Sequence, residues 1–291
     1  MSPVANSYFS GAGLMDLGLS LGGVSIQQSF EIDANCCATM RQNMPHEVIQ
    51  CDLEGKLVRD EKDCQVMVAT YPCTRYSSAA DIHSTRTGDA LFLHFFRHLA
   101  IRRPEAYVVE NVPGMRKFPV VMEAMTQLPD YFVHVECPVK SQLWLPQRRN
   151  RLIIVGTRRP FVWRPPTCDR PAKLDDILEV DPEPEIPEYV AKRLAGAYRD
   201  RPIISDPAKG DIAPTCVAHY AKDLSTRLVS DPRFPGGARP YTVREYARLQ
   251  GVPDSYQFTG STRDAYRAIG NGVSVPVGEW IGRELVRYFS T

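Results

Sequence analysis

The chain has 291 residues, of which 43% are hydrophobic and 24% are charged, and its formal net charge at pH 7 is +1. This length allows one large domain, or a large domain with a small companion, and the composition is that of an ordinary globular protein. No apolar run reaches the ~18 residues that span a bilayer, and the first residues lack the basic and apolar regions of a secretory signal. We therefore expect an intracellular protein without a membrane partner.

The near-neutral charge neither requires nor excludes nucleic acid, so any basic surface has to be local. The eight cysteines are scattered and form no C-x-x-C units. This pattern indicates reduced thiols and no metal site.

Strand and helix patterns alternate from residue 7 to about residue 157. Alternation at this spacing predicts a doubly wound α/β sheet. The predicted strands are 7–9, 24–30, 47–51, 66–70, 106–109, 131–139 and 152–157, and the predicted helices are 14–21, 33–43, 89–101 and 119–128.

The alternation ends after residue 157. Residues 160–187 contain seven prolines, which predicts extended or looping chain. Residues 175–188 carry seven acidic side chains and no basic ones, which indicates a solvated face and not a phosphate contact. Helical periodicity returns at 242–250 and at 275–289, where it predicts a helix that closes on the main sheet.

A glycine turn follows the first predicted strand and precedes the first predicted helix, at residues 9–13. Gly11 and Gly13 would let backbone amides approach a ligand. Glu31 ends the second strand, where an acid can accept hydrogen bonds from a ribose diol, and Asp52 follows the third. A glycine turn, Glu and Asp after three successive strands indicate a nucleoside-bearing cofactor, and the incomplete G-x-G-x-x-G pattern disfavours NAD.

Two further groups follow predicted buried strands. Pro72-Cys73 comes after the strand at 66–70, and Glu110-Asn111-Val112 comes after the strand at 106–109. Because residues beyond the carboxyl ends of parallel strands line the ligand crevice, a thiol and a carboxyl would face one pocket. Such a pair suits covalent addition to a ring, although a cysteine after a strand is also a common core residue.

These segments resemble the motifs of the cytosine-C5 DNA methyltransferases, in the family's order and over nearly all of the chain. Only residues from about 158 to 238 show no match to a family motif, and that is where the family has its variable target-recognition region. The matching residues are Phe9-Ser10-Gly11-Ala12-Gly13, Glu31, Asp52, Pro72-Cys73, Glu110-Asn111-Val112, Gln147-Arg148-Arg149-Asn150-Arg151, Arg239-Pro240-Tyr241-Thr242 through Gly251, and Gly270-Asn271-Gly272-Val273.

The resemblance implies a Rossmann-like core that binds S-adenosylmethionine, with a small variable target-recognition domain. The expected boundaries are 1–165 for the catalytic domain, completed by 262–291, 166–240 for target recognition, and 241–261 for a hinge. The implied partner is double-stranded DNA, with a cognate restriction endonuclease as a second candidate, and family precedent favours a monomer. The implied location is the cytoplasm, at the nucleoid or in a viral host.

The resemblance also assigns roles to individual residues. Cys73 would attack cytosine C6, Glu110 would protonate or hydrogen-bond N3, and Arg149 and Arg151 would hold the base carbonyl and the nucleophile loop. The target base would have to be flipped out of the duplex. The expected cofactor contacts are Phe9, Gly11, Gly13, Leu14, Glu31, Asp52, Pro72 and Asn271, and the expected DNA contacts are Thr74, Arg75, Ser77, Arg86 and Arg227. Asn111 would anchor the chain around Glu110.

The chain departs from the family pattern at several places. Thr74 replaces a usual Gln, Leu14 stands where a third glycine is common, and Ser7 stands where an Asp is frequent. Tyr71 precedes Pro72 where the family usually has a second proline. These departures leave open the grip of the loop on DNA, the fit of the methionine end of the cofactor, and whether the transferred group is an unmodified methyl.

Two alternatives remain on the sequence alone. One is a tRNA cytosine methyltransferase of the same fold, although its Cys-Phe-Thr signature is absent. The other is a catalytically inactive DNA-binding paralogue, against which Cys73, Glu110 and both arginines argue. The recognition sequence, the presence of a restriction system, and a host or phage origin are not readable from the sequence.

Overall fold

The computed structural model describes residues 2–72, 91–197 and 199–291. Its strands are β1 Val4–Tyr8, β2 Ser25–Glu31, β3 Glu47–Gln50, β4 Val66–Ala69, β5 Ala106–Asn111, β6 Phe132–Lys140, β7 Asn150–Thr157, β8 Ile203–Ser205, β9 Arg227–Ser230 and β10 Ala238–Pro240. Its α-helices are α1 Leu14–Leu21, α2 Ala34–Asn43, α3 Leu91–Arg102, α4 Pro119–Thr126, α5 Leu174–Ile177, α6 Glu188–Ala195, α7 Val243–Arg248, α8 Thr262–Asn271 and α9 Val275–Ser290.

The chain divides into two compact units. Unit 1 comprises Met1–Val139, Asn150–Pro166 and Val277–Thr291, and unit 2 comprises Lys140–Arg149 and Thr167–Pro276. We expected residues 262–276 to complete the catalytic domain, but the contacts of α8 place them in unit 2. The ring of Tyr266 on α8 packs edge-on against those of Tyr220 and Tyr246, at centroid distances of 5.1 and 5.3 Å.

Unit 1 contains a seven-stranded sheet in the order β3-β2-β1-β4-β5-β7-β6. The pairs from β3 through β5 are parallel, and β7 runs antiparallel to β5. Strand β4 is fully buried, as expected for a central strand of a sheet covered on both faces. This architecture confirms the predicted doubly wound α/β class and places the ends of β1, β4 and β5 side by side.

Helix α9 closes on unit 1, as its periodicity predicted. A Cβ at Gly278 would lie 2.9 Å from the carbonyl oxygen of Met15, and one at Gly282 would lie 2.7 Å from that of Leu19. Two glycines one turn apart therefore let the backbone of α9 approach that of α1 closely. None of the helices in the described ranges is both long and apolar enough to cross a bilayer.

Unit 2 contains a three-stranded sheet in the order β10-β9-β8. Beside it the fully buried guanidinium of Arg239 binds Asp231 at 2.8 Å and Glu245 at 2.7 Å. The guanidinium groups of Arg233 and Arg239 hold the pKa of Asp231 well below its usual range. Glu245 also forms a capping box with Thr242 at the start of α7, so one carboxylate fixes both the helix start and the buried arginine.

The predicted elements of unit 1 agree with the structure within a few residues, whereas the small sheet and helices α5, α6 and α8 were not predicted. Strand β5 runs two residues further than expected, so Glu110 lies within the strand and pairs with Ile153 of β7. The proline-rich stretch has little regular structure, as predicted. Six of the seven acids at 175–188 are exposed, and Glu179 accepts a hydrogen bond from Thr242.

Candidate active site

The glycine turn after β1 has a left-handed backbone at three residues. The φ angles are 57° at Phe9, 55° at Gly11 and 74° at Gly13. A side chain at Gly13 would meet Met40 at 2.8 Å, whereas one at Gly11 would meet no heavy atom within 4 Å. Gly13 therefore allows close packing on α2, and the turn is open beside Gly11. For Phe9 the left-handed region costs about 1–2 kcal/mol, which neighbouring contacts must offset.

Glu31 links the end of β2 to the glycine turn. Its Oε2 accepts a hydrogen bond from the amide of Gly11 at 2.8 Å. Its Oε1 accepts two more, from the amides of Ile32 at 2.9 Å and Asp33 at 2.8 Å. Since a carboxylate offers about four acceptor positions, the arrangement leaves one position on Oε2 for a ligand hydroxyl.

The other expected cofactor residues of unit 1 differ in exposure. Asp52 is exposed and accepts a hydrogen bond from the amide of Glu54, which forms a turn after β3. Leu14 is buried at the start of α1, and Pro72 is exposed. Ile32 was missed by the sequence reasoning: it directly follows Glu31 and is 61% exposed, as an aliphatic surface beside the acid.

A buried polar network under the turn was also missed. Asp16 accepts hydrogen bonds from the hydroxyls of Ser7 at 2.6 Å and Ser29 at 2.7 Å. The hydroxyl of Ser29 lies 2.7 Å from Nε2 of His46, and Ser10 donates to Ser7 at 2.9 Å. Burial raises the pKa of Asp16 and lowers that of His46. A carboxylate from α1 is thus placed against Ser7, where an Asp is frequent in the resembling family.

Glu110 and Arg151 form an ion pair between β5 and β7. Nε of Arg151 lies 2.7 Å from Oε1 of Glu110, and the two side chains are only 12% and 9% exposed. The antiparallel pairing of these strands brings the two residues together across 41 positions of sequence. Such a pair, nearly removed from water, holds a carboxylate in a fixed orientation for chemistry at its other oxygen.

The ends of β4 and β5 are tied by a side chain. The amide nitrogen of Asn111 donates a hydrogen bond to the carbonyl of Tyr71 at 3.1 Å, two residues before Cys73. Its Oδ1 accepts one from the amide of Val112 at 2.8 Å. Asn111 therefore anchors the chain next to Glu110, as expected, and joins it to the segment that leads into the nucleophile motif.

The family profile described as C-5 cytosine-specific DNA methylase matches residues 5–192 and 214–287. The chain belongs to this family. Its activity is methylation of cytosine C5 in DNA. The unmatched stretch, 193–213, is much shorter than the expected 158–238, because the profile also covers chain that carries no readable motif.

Curated relatives of this methylase align over most of its length. It is 27% identical to the Type II methyltransferase M.Sau96I of Staphylococcus aureus over 97% of this chain and 75% of the relative. It is 29% identical to M.NlaX of Neisseria lactamica over 94% of this chain and 95% of the relative.

Solved structures share the fold of this methylase. The Entamoeba histolytica methyltransferase EhMeth superposes with a TM-score of 0.84 at 16% identity, over 99% of both chains. The S. pombe Dnmt2 methyltransferase superposes with a TM-score of 0.78 at 17% identity, over 100% of both chains.

Arg149, which we expected to hold the base carbonyl and the nucleophile loop, is bound to backbone carbonyls of unit 2. The residue is 1% exposed, and its guanidinium donates to the carbonyls of Cys216 at 3.0 Å, Gly270 at 3.2 Å and Gly272 at 2.5 Å. A guanidinium held by three backbone carbonyls inside unit 2 joins distant parts of that unit. These bonds show that Arg149 supports the segment that carries Asn271, and its expected contact with the base carbonyl stays a prediction.

We expect Arg149→Lys to lower the free energy of unfolding by about 2–4 kcal/mol, because hydrogen bonds from a charged group contribute about 1.5–3 kcal/mol each and Lys cannot reach three carbonyls. Urea titration followed by fluorescence measures this change. The exposed neighbour supplies the control, since Arg148→Lys should leave the stability unchanged. Wild-type stability with lost activity in Arg149→Lys would contradict the supporting role and favour the base contact.

Neighbouring polar residues extend this support. Gln147 donates to the carbonyl of Leu249 at 2.6 Å and accepts from the amide of Cys216 at 2.9 Å. Gln250 donates to the carbonyl of Ile269 at 2.8 Å and accepts from Ser274 at 2.8 Å. The three motifs of the second half of the chain are thus joined by buried side chains, which no local sequence pattern could reveal.

Two of the remaining predicted residues, Asn271 and Arg227, lie in the described part of the chain, and the others lie outside it. Asn271 is exposed at the end of α8, and Arg227 of β9 is partly buried and donates to Thr226 at 3.3 Å. Both assignments stay predictions. Cys73 and the expected DNA contacts Thr74, Arg75, Ser77 and Arg86 lie outside the described residues.

Proposed function

We propose that the chain transfers a methyl group from S-adenosylmethionine to C5 of a flipped-out cytosine in a specific sequence of double-stranded DNA, through a covalent bond between Cys73 and cytosine C6. The observation that carries the proposal is the Glu110–Arg151 pair. Glu110 lies on β5, and the next residue, Asn111, is hydrogen-bonded to Tyr71 in the segment that leads into Cys73. The family membership adds the reaction class.

Each residue has a separate task in this mechanism. The thiolate of Cys73 adds to C6 and forms the S–C6 bond, which makes C5 an enamine-like nucleophile. Glu110 donates a proton or hydrogen bond to N3 from Oε2, while Arg151 keeps Oε1. General acid assistance of this type contributes about 10²–10⁴-fold. After C5 has been methylated, which leaves S-adenosylhomocysteine, the C5 proton passes to water, the C5–C6 double bond re-forms, the thiolate departs and any proton on N3 returns to Glu110.

The residues at the ends of β1 and β2 fit the proposed cofactor. The turn is open beside Gly11, Glu31 offers an acceptor to a ribose hydroxyl, and the exposed side chain of Ile32 offers an apolar surface to an adenine ring. Phe9, Gly13, Leu14, Asp52, Pro72 and Asn271 complete the proposed contacts. When bound, S-adenosylmethionine supplies an electrophilic methyl on a sulfonium.

DNA contacts are assigned to Thr74, Arg75, Ser77, Arg86 and Arg227. Because the enzyme cannot reach C5 of a cytosine inside a duplex, we propose that the target cytosine is flipped out of the DNA to meet Cys73 and Glu110. The relatives are named Type II methyltransferases, which supports a cognate restriction endonuclease as a partner and the cytoplasm as the location. A monomer remains our expectation.

A trapped adduct tests the reaction. The chain is incubated with S-adenosylmethionine and duplexes that carry 5-fluorocytosine in a library of sequences, and complexes that survive denaturation are sequenced. Because fluorine cannot leave C5 as a proton does, we expect a stable enzyme–DNA bond confined to one sequence context. A tRNA with the same substitution is the parallel sample. An adduct with that tRNA alone would favour the tRNA methyltransferase, and none with either, while both ligands are bound, would exclude the covalent route.

A further inference from the structure

Tyr71 directly precedes Pro72-Cys73, the nucleophile motif, and is 2% exposed. It stands where a proline is usual in the family, so its ring brings contacts that a proline would not make. The residue follows β4, between the ends of β1 and β5 in the sheet order of unit 1.

The ring of Tyr71 faces the glycine turn. It packs edge-on against the ring of Phe9, with a centroid distance of 6.2 Å and an interplanar angle of 77°. The preceding residue adds a second contact, since the hydroxyl of Thr70 donates to the carbonyl of Phe9 at 2.8 Å. Together these contacts hold Phe9 in its left-handed conformation, which sets the path of the turn into Gly11.

The other side of Tyr71 faces the strand of the acid. Its carbonyl accepts the hydrogen bond from Asn111, the residue after Glu110. Its hydroxyl donates to the sulfur of Met115 at 3.4 Å, in the turn that follows β5. Tyr71 thus contacts the glycine turn at Phe9 and the chain on both sides of Val112, at Asn111 and Met115.

We propose that Tyr71 is a positioning residue: its ring holds the glycine turn while its backbone carbonyl is bound by Asn111, so that loss of the ring weakens cofactor binding and slows methyl transfer. The inference rests on the proposed cofactor site. It concerns the ring more than the hydroxyl, because an O–H···S contact is weak.

The test compares Tyr71→Leu and Tyr71→Phe with the wild type. Titration calorimetry gives the Kd of S-adenosylhomocysteine, and steady-state assays give kcat and KM. Since an edge-to-face ring pair contributes the equivalent of about 2- to 13-fold in a binding constant, we expect Tyr71→Leu to raise the Kd by that factor and to lower kcat. Tyr71→Phe keeps the ring and should stay within about twofold of the wild type.

A matched tyrosine in the same sheet separates positioning from stability. Tyr107 of β5 is fully buried, and its hydroxyl donates to the carbonyl of Met125 at 2.5 Å, away from the glycine turn. Tyr107→Leu should lower the Tm but leave the Kd unchanged. An unchanged Kd and kcat in Tyr71→Leu, or an equal change of Kd in Tyr107→Leu, would overturn the inference.

A double-mutant cycle keeps the inference testable if Tyr71→Leu folds poorly. The Kd values of Phe9→Leu, Tyr71→Met and their combination should be non-additive, because each change removes the same ring pair. Full additivity would contradict the coupling. A wild-type protein that binds no S-adenosylhomocysteine would instead reject the proposed cofactor site, and with it the role of Tyr71.

Discussion

Replacement of Cys73 by serine is expected to abolish methyl transfer, with a loss of at least about 10⁴-fold in kcat, the order of magnitude seen when a covalent nucleophile is removed. A serine hydroxyl is far less acidic than a thiol, so it cannot supply the anion that adds to C6. Binding of DNA and cofactor does not require the S–C6 bond and should persist. Transfer of labelled methyl groups to DNA, with gel-shift measurements in parallel, checks both parts.

A second cysteine provides the comparison for this variant. Cys168 is partly buried in unit 2 and carries no assigned role, so Cys168→Ser should retain turnover. The 5-fluorocytosine adduct should form with Cys168→Ser and be absent with Cys73→Ser. Turnover by Cys73→Ser at more than a trace level would show that C6 is attacked by another group.

Replacement of Glu110 by glutamine should slow methyl transfer by about 10²–10⁴-fold, the contribution expected of a general acid. Glutamine keeps the size of the side chain but has no acidic proton for N3. Cofactor affinity should change little, because the proposed cofactor contacts are Glu31 and the glycine turn, whereas the side chain of Glu110 pairs with Arg151. Single-turnover kinetics at saturating DNA, together with the Kd of the cofactor, measure the two effects separately.

Glu110→Gln also breaks an ion pair, so the effect on the rate has to be separated from a loss of folding stability. Glu110→Gln leaves Arg151 nearly buried without its carboxylate, and breaking such a pair costs about 3–5 kcal/mol of stability. Rates are therefore compared below the Tm of each variant. Glu123→Gln on the exposed face of α4 is the matched control and should leave both rate and stability unchanged. An unchanged rate in Glu110→Gln would remove the acid from the mechanism.

Sequence reasoning located the elements of unit 1 because their signals are local. Strand β4 and the first four residues of β5 are continuous apolar runs, and the residues that follow these runs carry the proposed chemistry. The end of β5 was placed two residues early, since Glu110 and Asn111 are polar and their pairing with β7 depends on an antiparallel neighbour. Polar residues inside a strand cannot be recognised without that partner.

Unit 2 was harder to predict for a different physical reason. Its strands have three or four residues, too few to show a period of two. The role of Arg149 depends on carbonyls 67 to 123 residues away in sequence, so its motif indicated importance but not partners. Asp16 likewise lies nine residues from Ser7, and only the folded turn shows that their side chains meet.

The hydrogen bonds that hold Glu31 have a consequence for nucleotide discrimination. Three backbone amides fix its carboxylate before any ligand arrives, so little side-chain entropy is lost on binding. A fixed anion accepts from a sugar hydroxyl but repels a phosphate ester at the same place. At the proposed cofactor site, adenine dinucleotides and coenzymes that carry a phosphate on the 2′ or 3′ oxygen should therefore be rejected, while adenosyl compounds with both hydroxyls intact should bind.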